Sequence, residues 1–283
     1  MKQRIITALI LAPLAIAAIF FLPLQFFMLF AAGIFLLASK EWAGFVSKEP
    51  SSATLYIFGL ILGITLMLMP IGLIWGPELP HHYIITGLTV AAAWWCVALV
   101  MVVRYPTSAT LWRNSKLLKS IFGLLTLIPF FWGLVVLRSV NMHHDFYFGA
   151  ELLMFVFLLV WAADSGAYFA GRQFGKHKLA PNVSPGKTIE GLLGGLVSAV
   201  IVAYFASHYF AIPAEKLGLF FAASVITTLV SALGDLTESI FKREAGLKDS
   251  SNLLPGHGGI LDRIDSLTAA VPVFALIYIY WLV

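Results

Sequence analysis

The residues able to do chemistry are concentrated between Asp235 and Ser266, where six of the fourteen acidic residues fall: Asp235, Glu238, Glu244, Asp249, Asp262 and Asp265. Lys242, Arg243, Lys248, His257 and Arg263 are interleaved with them, donors suited to phosphate oxygens. If the helix before this stretch continues past Gly234, then Asp235, Ser239 and Lys242 lie on one face at i, i+4 and i+7. Asp262 and Asp265, at i and i+3, share a face if the last helix starts near them, with Cβ atoms roughly 5–6 Å apart. Such spacing suits a hard divalent cation that keeps several waters and is shared with substrate phosphates, as Mg²⁺ usually is. Gly256, Gly258 and Gly259 permit a bare turn whose N–H groups approach an anion just before a helix start. A charged loop can also be a solvated membrane anchor whose charges pair among themselves. The mixture of clustered acids, bases and glycines favours a phosphate-and-metal site over that plainer reading.

A second polar stretch, 171–188, carries Lys176, Lys178, Ser184, Lys187 and Thr188. Its "GKT" resembles the end of a phosphate-binding P-loop, but Pro181 occupies the place of the required first glycine and no strand is expected before it. The stretch reads instead as a basic strip beside a helix start, able to receive phosphates or simply to anchor the chain at the membrane. Asp164, in "LVWAADSGAYFAGR", lies roughly 10 Å inside the expected end of its helix at 1.5 Å per residue. An ionisable side chain at that depth is a site candidate by default. Glu190 is a shallower case of the same kind.

The elements that must position these residues are membrane helices. Of 283 residues, 60% are hydrophobic and only 11% charged, against about 25% charged in a soluble domain. Apolar runs long enough to cross about 30 Å of hydrocarbon recur from end to end. They lack the alternation of membrane strands, so the fold class expected is an all-α polytopic membrane bundle. Spans are placed at 5–22, 24–38, 55–74, 83–103, 120–137, 151–170, 189–212, 217–234 and 267–283. The second is short and broken by Gly33, so a half-span is an alternative. No cleavable leader is expected, because 5–22 is long enough to span and lacks a small-residue cleavage site. The whole chain, 1–283, reads as one membrane domain: N-terminal helices over 1–137, then catalytic helices over 151–283 with loops at 171–188 and 235–266.

Cationic residues set the orientation, because they accumulate on the cytoplasmic side. With nine crossings and the N-terminus inside, sixteen of the eighteen Lys and Arg residues are cytoplasmic; only Arg138 and Lys216 are not. Both polar stretches then face the cytoplasm, and the inner membrane of a cell is the expected location. The net charge of +4 is spread over short loops, which argues for lipid headgroups and against a nucleic-acid partner. Cys96, the only cysteine, excludes an intrachain disulfide and reads as a small buried hydrophobe. His81-His82 and His143-His144 read as surface residues of outer loops. The four-residue spacings Gly59/Gly63 and Gly191/Gly195 read as close helix packing first, and only secondarily as dimer contacts.

The run "SIFKREAGLKDSSNLLPGHGGILDRID" resembles the signature of the phosphatidate cytidylyltransferase, or CDP-diacylglycerol synthase, family. Its fixed positions are Ser239, Lys242, Arg243, Lys248, Asp249, His257, Gly258, Gly259, Asp262, Arg263 and Asp265. "SALGDLTES" and "SPGKTIEG" extend the likeness. The resemblance implies formation of CDP-diacylglycerol and pyrophosphate from CTP and phosphatidic acid, with Mg²⁺, at the cytoplasmic face. It implies that Asp235 and Asp262 hold the metal with Asp265 as the motif's last acid, and that the protein is a homodimer. Lys242, Arg243, Lys248 and Arg263 are expected to hold the phosphates, the Gly258-Gly259 turn to offer backbone donors, and His257 to bind phosphate or support a ligand. A CTP-dependent polyprenol or dolichol kinase is an alternative. A CDP-alcohol phosphotransferase would need an Asp-Gly…Ala-Arg pattern that is missing here, and a secondary transporter would not need the polar crowd at 235–265.

Overall fold

Hydrocarbon offers no partner to backbone N–H and C=O groups, so each apolar run closes its hydrogen bonds within itself as a helix. The computed structural model describes residues 2–47, 52–70, 72, 74–75 and 80–282, excepting the side chains of 2–8 and 52. The side chains of Lys2 and Arg4, Lys48, residues 76–79 of an expected outer loop and the terminal Val283 lie outside the described residues. Within them the chain forms α1 (Lys2–Phe21), α2 (Leu24–Val46), α3 (Ser52–Leu68), α4 (His82–Val103), α5 (Lys116–Ser139), α6 (Phe148–Phe174), α7 (Ile189–Tyr209), α8 (Ala214–Ala245) and α9 (Leu261–Ile277). Seven of these, counting α9 with the π-helical turn Tyr278–Leu282, are long and apolar enough to cross a membrane; α1 and α3 contribute shorter apolar helices.

Cross-links between helix ends fix which termini lie together. The Trp42 indole near the C-terminus of α2 donates to the Lys119 carbonyl in the first turn of α5 at 2.8 Å. The Tyr105 hydroxyl, just beyond α4, donates to Glu244 near the C-terminus of α8 at 2.9 Å. Glu190 at the start of α7 accepts from the Lys176 and His177 backbone just beyond α6. The C-termini of α2, α4, α6 and α8 and the N-termini of α5, α7 and α9 therefore share one end of the bundle. At the other end, Lys216 of α8 donates to the Leu282 carbonyl at 3.1 Å.

Arg138 also belongs to that far end. It is fully buried, and its guanidinium donates to the carbonyls of Ile19 (2.6 Å), Leu22 (3.3 Å) and Phe146 (3.3 Å). The carbonyls of Ile19, Leu22 and Leu282 that take Arg138 and Lys216 lie at helix C-termini, where partial negative charge collects.

Several elements depart from the sequence-based expectation. The second run is a full helix of 23 residues, not a half-span, because Gly33 meets nothing within 4 Å and leaves the helix unbroken. The loop expected over 235–266 is shorter: α8 runs 32 residues to Ala245 and α9 starts at Leu261, leaving 246–260 as the connection. At 1.5 Å per residue α8 is roughly 48 Å long, so its last turns outrun the hydrocarbon core and carry polar groups as helix. The stretch 171–188 holds an antiparallel hairpin, β1 (Lys178–Ala180) with β2 (Ser184–Thr188), which with two isolated bridges, Trp75–Pro80 and Leu254–Gly258, departs from an all-helical fold. Cys96 is exposed: α4 turns Trp94, Trp95 and Ala98 inward, and Cys96 points away from them. In a membrane protein the outward face is as apolar as the core, so hydropathy does not separate them.

Two close contacts position the functional end. An alanine Cβ at Gly195 would lie 2.8 Å from the Ala163 carbonyl, and one at Gly191 3.0 Å from that of Ala167. The Gly191/Gly195 pair therefore lets α7 lie directly on α6 within the chain. Trp42 fits over Gly123, whose Cβ would sit 2.5 Å from the indole nitrogen, and packs with Phe45 and Phe241, joining α2, α5 and α8. Arg138→Met should lower the apparent melting temperature in detergent by an amount corresponding to roughly 3 kcal/mol, since three carbonyls lose charged donors. Activity per folded molecule should persist, because the polar site is at the opposite end.

Candidate active site

Three helices, α6, α7 and α8, and the hairpin meet around a cavity of about 460 Å³ whose wall includes Asp164, Arg172, Lys187, Thr188 and Asp235. Lys187, on β2, pairs with Asp235 on α8 at 2.6 Å. Ser239, one turn on, donates to the other Asp235 oxygen at a long 3.4 Å. Thr188 accepts from the Gly191 N–H at 3.1 Å and caps α7, so its hydroxyl holds the strand-to-helix corner that aims Lys187. Asp164 opens onto the cavity ten residues before the end of α6, roughly 15 Å along the axis and deeper than expected because α6 continues to Phe174.

Behind this cavity lies a second, more buried set. The Lys242 ammonium contacts Asp262 at 2.8 Å and Glu238, one turn back on its own helix, at 3.3 Å. The other Asp262 oxygen accepts from the Ser250 N–H, the Ser250 hydroxyl and the Gly259 N–H, each at 2.8 Å. Asp265 accepts from the Ser266 N–H at 2.7 Å and lines, with Glu238, a small chamber also bounded by Trp42 and Trp95. Both Glu238 oxygens are buried, with the Lys242 ammonium beside Oε1 and the Asp265 carboxyl facing the group.

These contacts divide the sequence-derived candidates. Asp164, Lys187, Thr188 and Asp235 come together at the cavity, while Lys242, Asp262 and Asp265 form the inner set beside it. Lys242 is occupied by carboxylates and does not stand free as a phosphate clamp. Arg243 donates to the Val183 carbonyl at 3.2 Å, tying the hairpin to α8. The Gly259 N–H is directed at Asp262, and Gly258 adopts φ +80°, so this turn serves the aspartate. Lys248 and Asp249 are exposed on the 246–260 connection, and Arg263 is exposed on α9. His257 keeps a buried Nδ1 with no partner among the described residues. Ser184 sits at the far end of the hairpin, opposite Ala180, and does not line the cavity. Glu190 pairs with His177 at 2.6 Å and belongs to the hairpin's base.

Two acidic residues carry more of the site than the sequence disclosed. Glu238 shares the face of Asp235 and Lys242 only once α8 is known to continue. Glu41, on α2 in "ASKEWAG", is not among the candidates read from the sequence; in the fold its neighbour Lys40 is exposed and Glu41 buried.

The donor set bears on whether a metal fits. Asp164, Asp235, Glu238, Asp262 and Asp265 lie with Arg172, Lys187, Lys242 and Arg263 in and around the cavity, so five carboxylates meet four cations. Among the described residues no three acid or histidine side chains form a ready-made cage. Excess negative charge, hard oxygen donors and room beside them fit a cation bound by one or two carboxylates plus substrate phosphates, the usual manner of Mg²⁺.

Fold and site together define a polytopic helical membrane protein with a mixed acid–base centre at one end of its bundle. The model of the cytidylyltransferase family matches residues 2–281, and the chain belongs to that family. It is 45% identical to the phosphatidate cytidylyltransferase of Haemophilus influenzae over 99% of each chain. To that of Pseudomonas aeruginosa it is 43% identical, over 97% of this chain and 96% of the relative. To that of Staphylococcus haemolyticus it is 36% identical, over 78% and 92%.

The turn before α9 is open to a direct test. A Cβ at Gly258 would lie 2.6 Å from the Asp262 Oδ2 in a conformation that L-residues rarely adopt. Gly258→Ala should reduce cytidylyl transfer by about a hundredfold, the scale expected of a misplacement near 1 Å. Helix content by circular dichroism should not change.

Proposed function

We propose that this protein transfers a cytidylyl group from CTP to phosphatidic acid, giving CDP-diacylglycerol and pyrophosphate, at the cytoplasmic face of a cell membrane. The observation that carries the reading is the opposed pair of ion pairs, Lys187–Asp235 at the cavity wall and Lys242–Asp262 behind it, at a bundle end within reach of lipid. Family membership and the activity named for the relatives support it. A homodimer, implied by the signature, belongs to the same proposal.

The nucleophile needs little help. A phosphate monoester has its second pKa near 6, so the phosphatidate headgroup is largely a dianion at neutral pH and no general base is required. One of its oxygens forms a bond to the CTP α-phosphorus as the bond from that phosphorus to the bridging oxygen breaks, and pyrophosphate leaves with the electron pair. The difficulty is bringing two anions together, so catalysis is mainly positioning and charge stabilisation. Asp235, Asp262 and Asp265 would hold Mg²⁺, which supplies positive charge against the phosphates. Arg172, Lys187, Lys248 and Arg263 are the cations available to phosphate oxygens. Lys187 and Asp235 are each about 30% exposed, at 27% and 30%, so an arriving triphosphate can take Lys187 and release Asp235 toward a cation. Lys242 and Asp262 are nearly enclosed; Asp262 would turn its Lys242-bound oxygen to the cation as the ammonium moves onto Glu238, its second partner at 3.3 Å.

The acyl chains have an adjacent route. An apolar groove of about 490 Å³, lined by residues such as Leu99, Val103, Leu229 and Leu236, shares Leu179, Leu192 and Ala232 with the polar cavity. A lipid can thus present its headgroup to Lys187 while its tails stay among apolar side chains.

Purified protein given phosphatidate, Mg²⁺ and CTP labelled at either the α- or the γ-phosphorus tests this reading against a kinase. Label from the α-position should enter lipid and label from the γ-position should leave in pyrophosphate; γ-label in lipid would reject the proposal. Asp262→Asn should lower turnover by at least about a hundredfold while the protein still inserts and folds. Lys119→Ala should stay within about twofold, as expected of a surface change away from the site. Chelation of divalent cations should abolish labelling, and added Mg²⁺ should restore it.

A further inference from the structure

Glu41 accepts four hydrogen bonds, as many as Asp262, and touches none of the groups proposed to meet substrate. It sits near the C-terminus of α2, 6% exposed. One oxygen accepts from the Ser251 hydroxyl at 2.7 Å and the Ile260 N–H at 3.0 Å. The other accepts from the Ser250 hydroxyl at 3.0 Å and the Leu261 N–H at 2.7 Å. Four donors fill the four lone-pair directions of an ionised carboxylate, and no lysine, arginine or histidine lies within salt-bridge distance among the described residues.

Its counter-charge is the start of α9. Ile260, the residue before that helix, provides no side-chain cap, and a helix N-terminus left uncapped exposes N–H groups carrying partial positive charge. Glu41 supplies the cap from a different helix. Ser250 extends the connection: its hydroxyl lies 3.0 Å from Glu41 and 2.8 Å from Asp262, and its single proton serves one carboxylate at a time. A Cβ on Gly259 would collide with both Ser250 and Glu41, so the three residues are packed without slack. Trp42, beside Glu41, is locked to α5 and α8.

We propose that Glu41 is the positioning residue of the site: by capping α9 and holding Ser250 and Ser251, it fixes where the Asp262 carboxylate points. The consequence for turnover rests on the proposed role of Asp262 in binding a cation; the positioning itself does not. A glutamine at this position keeps the shape but turns an N–H toward backbone N–H donors.

The test compares wild type, Glu41→Gln and Ser250→Ala by amide hydrogen exchange and by activity against Mg²⁺ concentration. In Glu41→Gln, exchange across 250–262 should speed up by about tenfold or more as local opening becomes easier, while peptides from α6 and α7 stay unchanged. The Mg²⁺ concentration for half-maximal activity should rise about 10- to 100-fold, the usual effect of removing a group that orients a metal ligand. Ser250→Ala should move both readouts the same way by less, and it decides the matter if Glu41→Gln does not fold. Wild-type exchange over 250–262 in a folded Glu41→Gln protein overturns the proposal, as does faster exchange spread evenly through the bundle or a Ser250→Ala protein indistinguishable from wild type. Should wild-type protein form no labelled lipid, the functional reading fails, whereas the exchange result still judges Glu41.

Discussion

Carboxylates at the edge of hydrocarbon persist only where each is paired or hydrogen-bonded, and the site depends on how Asp262 meets that demand. One of its oxygens takes the Lys242 ammonium and the other takes three donors from the 250–259 segment. Breaking one partner of such a buried pair leaves an uncompensated charge, which costs far more than the pair itself contributes. The seam between α8 and α9 is consequently the rigid part of the site. The hairpin, Arg243 and the 246–260 connection are arranged around it.

Helix length converts that seam into an interfacial site. Asp235 is the twenty-second residue of α8, roughly 32 Å from its start, which places it at the far limit of a hydrocarbon layer about 30 Å thick. Glu238 and Glu244, three and nine residues further on, lie beyond that limit along the same helix. A lipid phosphate and a water-borne nucleotide can meet only at such a depth. The Gly191/Gly195 contact then brings the α6 and α7 ends, with Asp164 and Lys187, against the same stretch of α8.

Much of this was legible in the sequence, and the remainder was not for identifiable reasons. Apolar runs gave the helices because hydrocarbon admits no other backbone solution, and the spacing of Ser239, Lys242, Asp262 and Asp265 pointed to a phosphate centre. Helix ends were misplaced because hydropathy falls at Gly234 and returns only at Leu267, while α8 and α9 continue through charged residues whose partners are distant in sequence. Glu41 was invisible for the same reason: its donors, Ser250 through Leu261, are about two hundred residues away. Cys96 was misassigned because lipid-facing and core-facing positions share one composition. Asp164, by contrast, betrayed itself as an ion inside an apolar run, and Lys187 as a cation just before a helix start.

The two ends of the bundle handle charge by the same rule with opposite signs. Arg138 is held by carbonyls at the last turn of α1, and Glu41 and Asp262 by N–H groups at the first turn of α9. Each ion sits at the helix terminus of complementary partial charge. What separates the ends is access. Arg138 is wholly enclosed, so its cation exchanges with nothing, whereas Lys187 and Asp235 retain about 30% of their surface beside a cavity. Charge at the far end is spent on joining α1 to α5; charge at the near end is held in pairs that a polyanion can enter and rearrange. One electrostatic principle thus serves assembly at the enclosed end and leaves an accessible charged pair at the other.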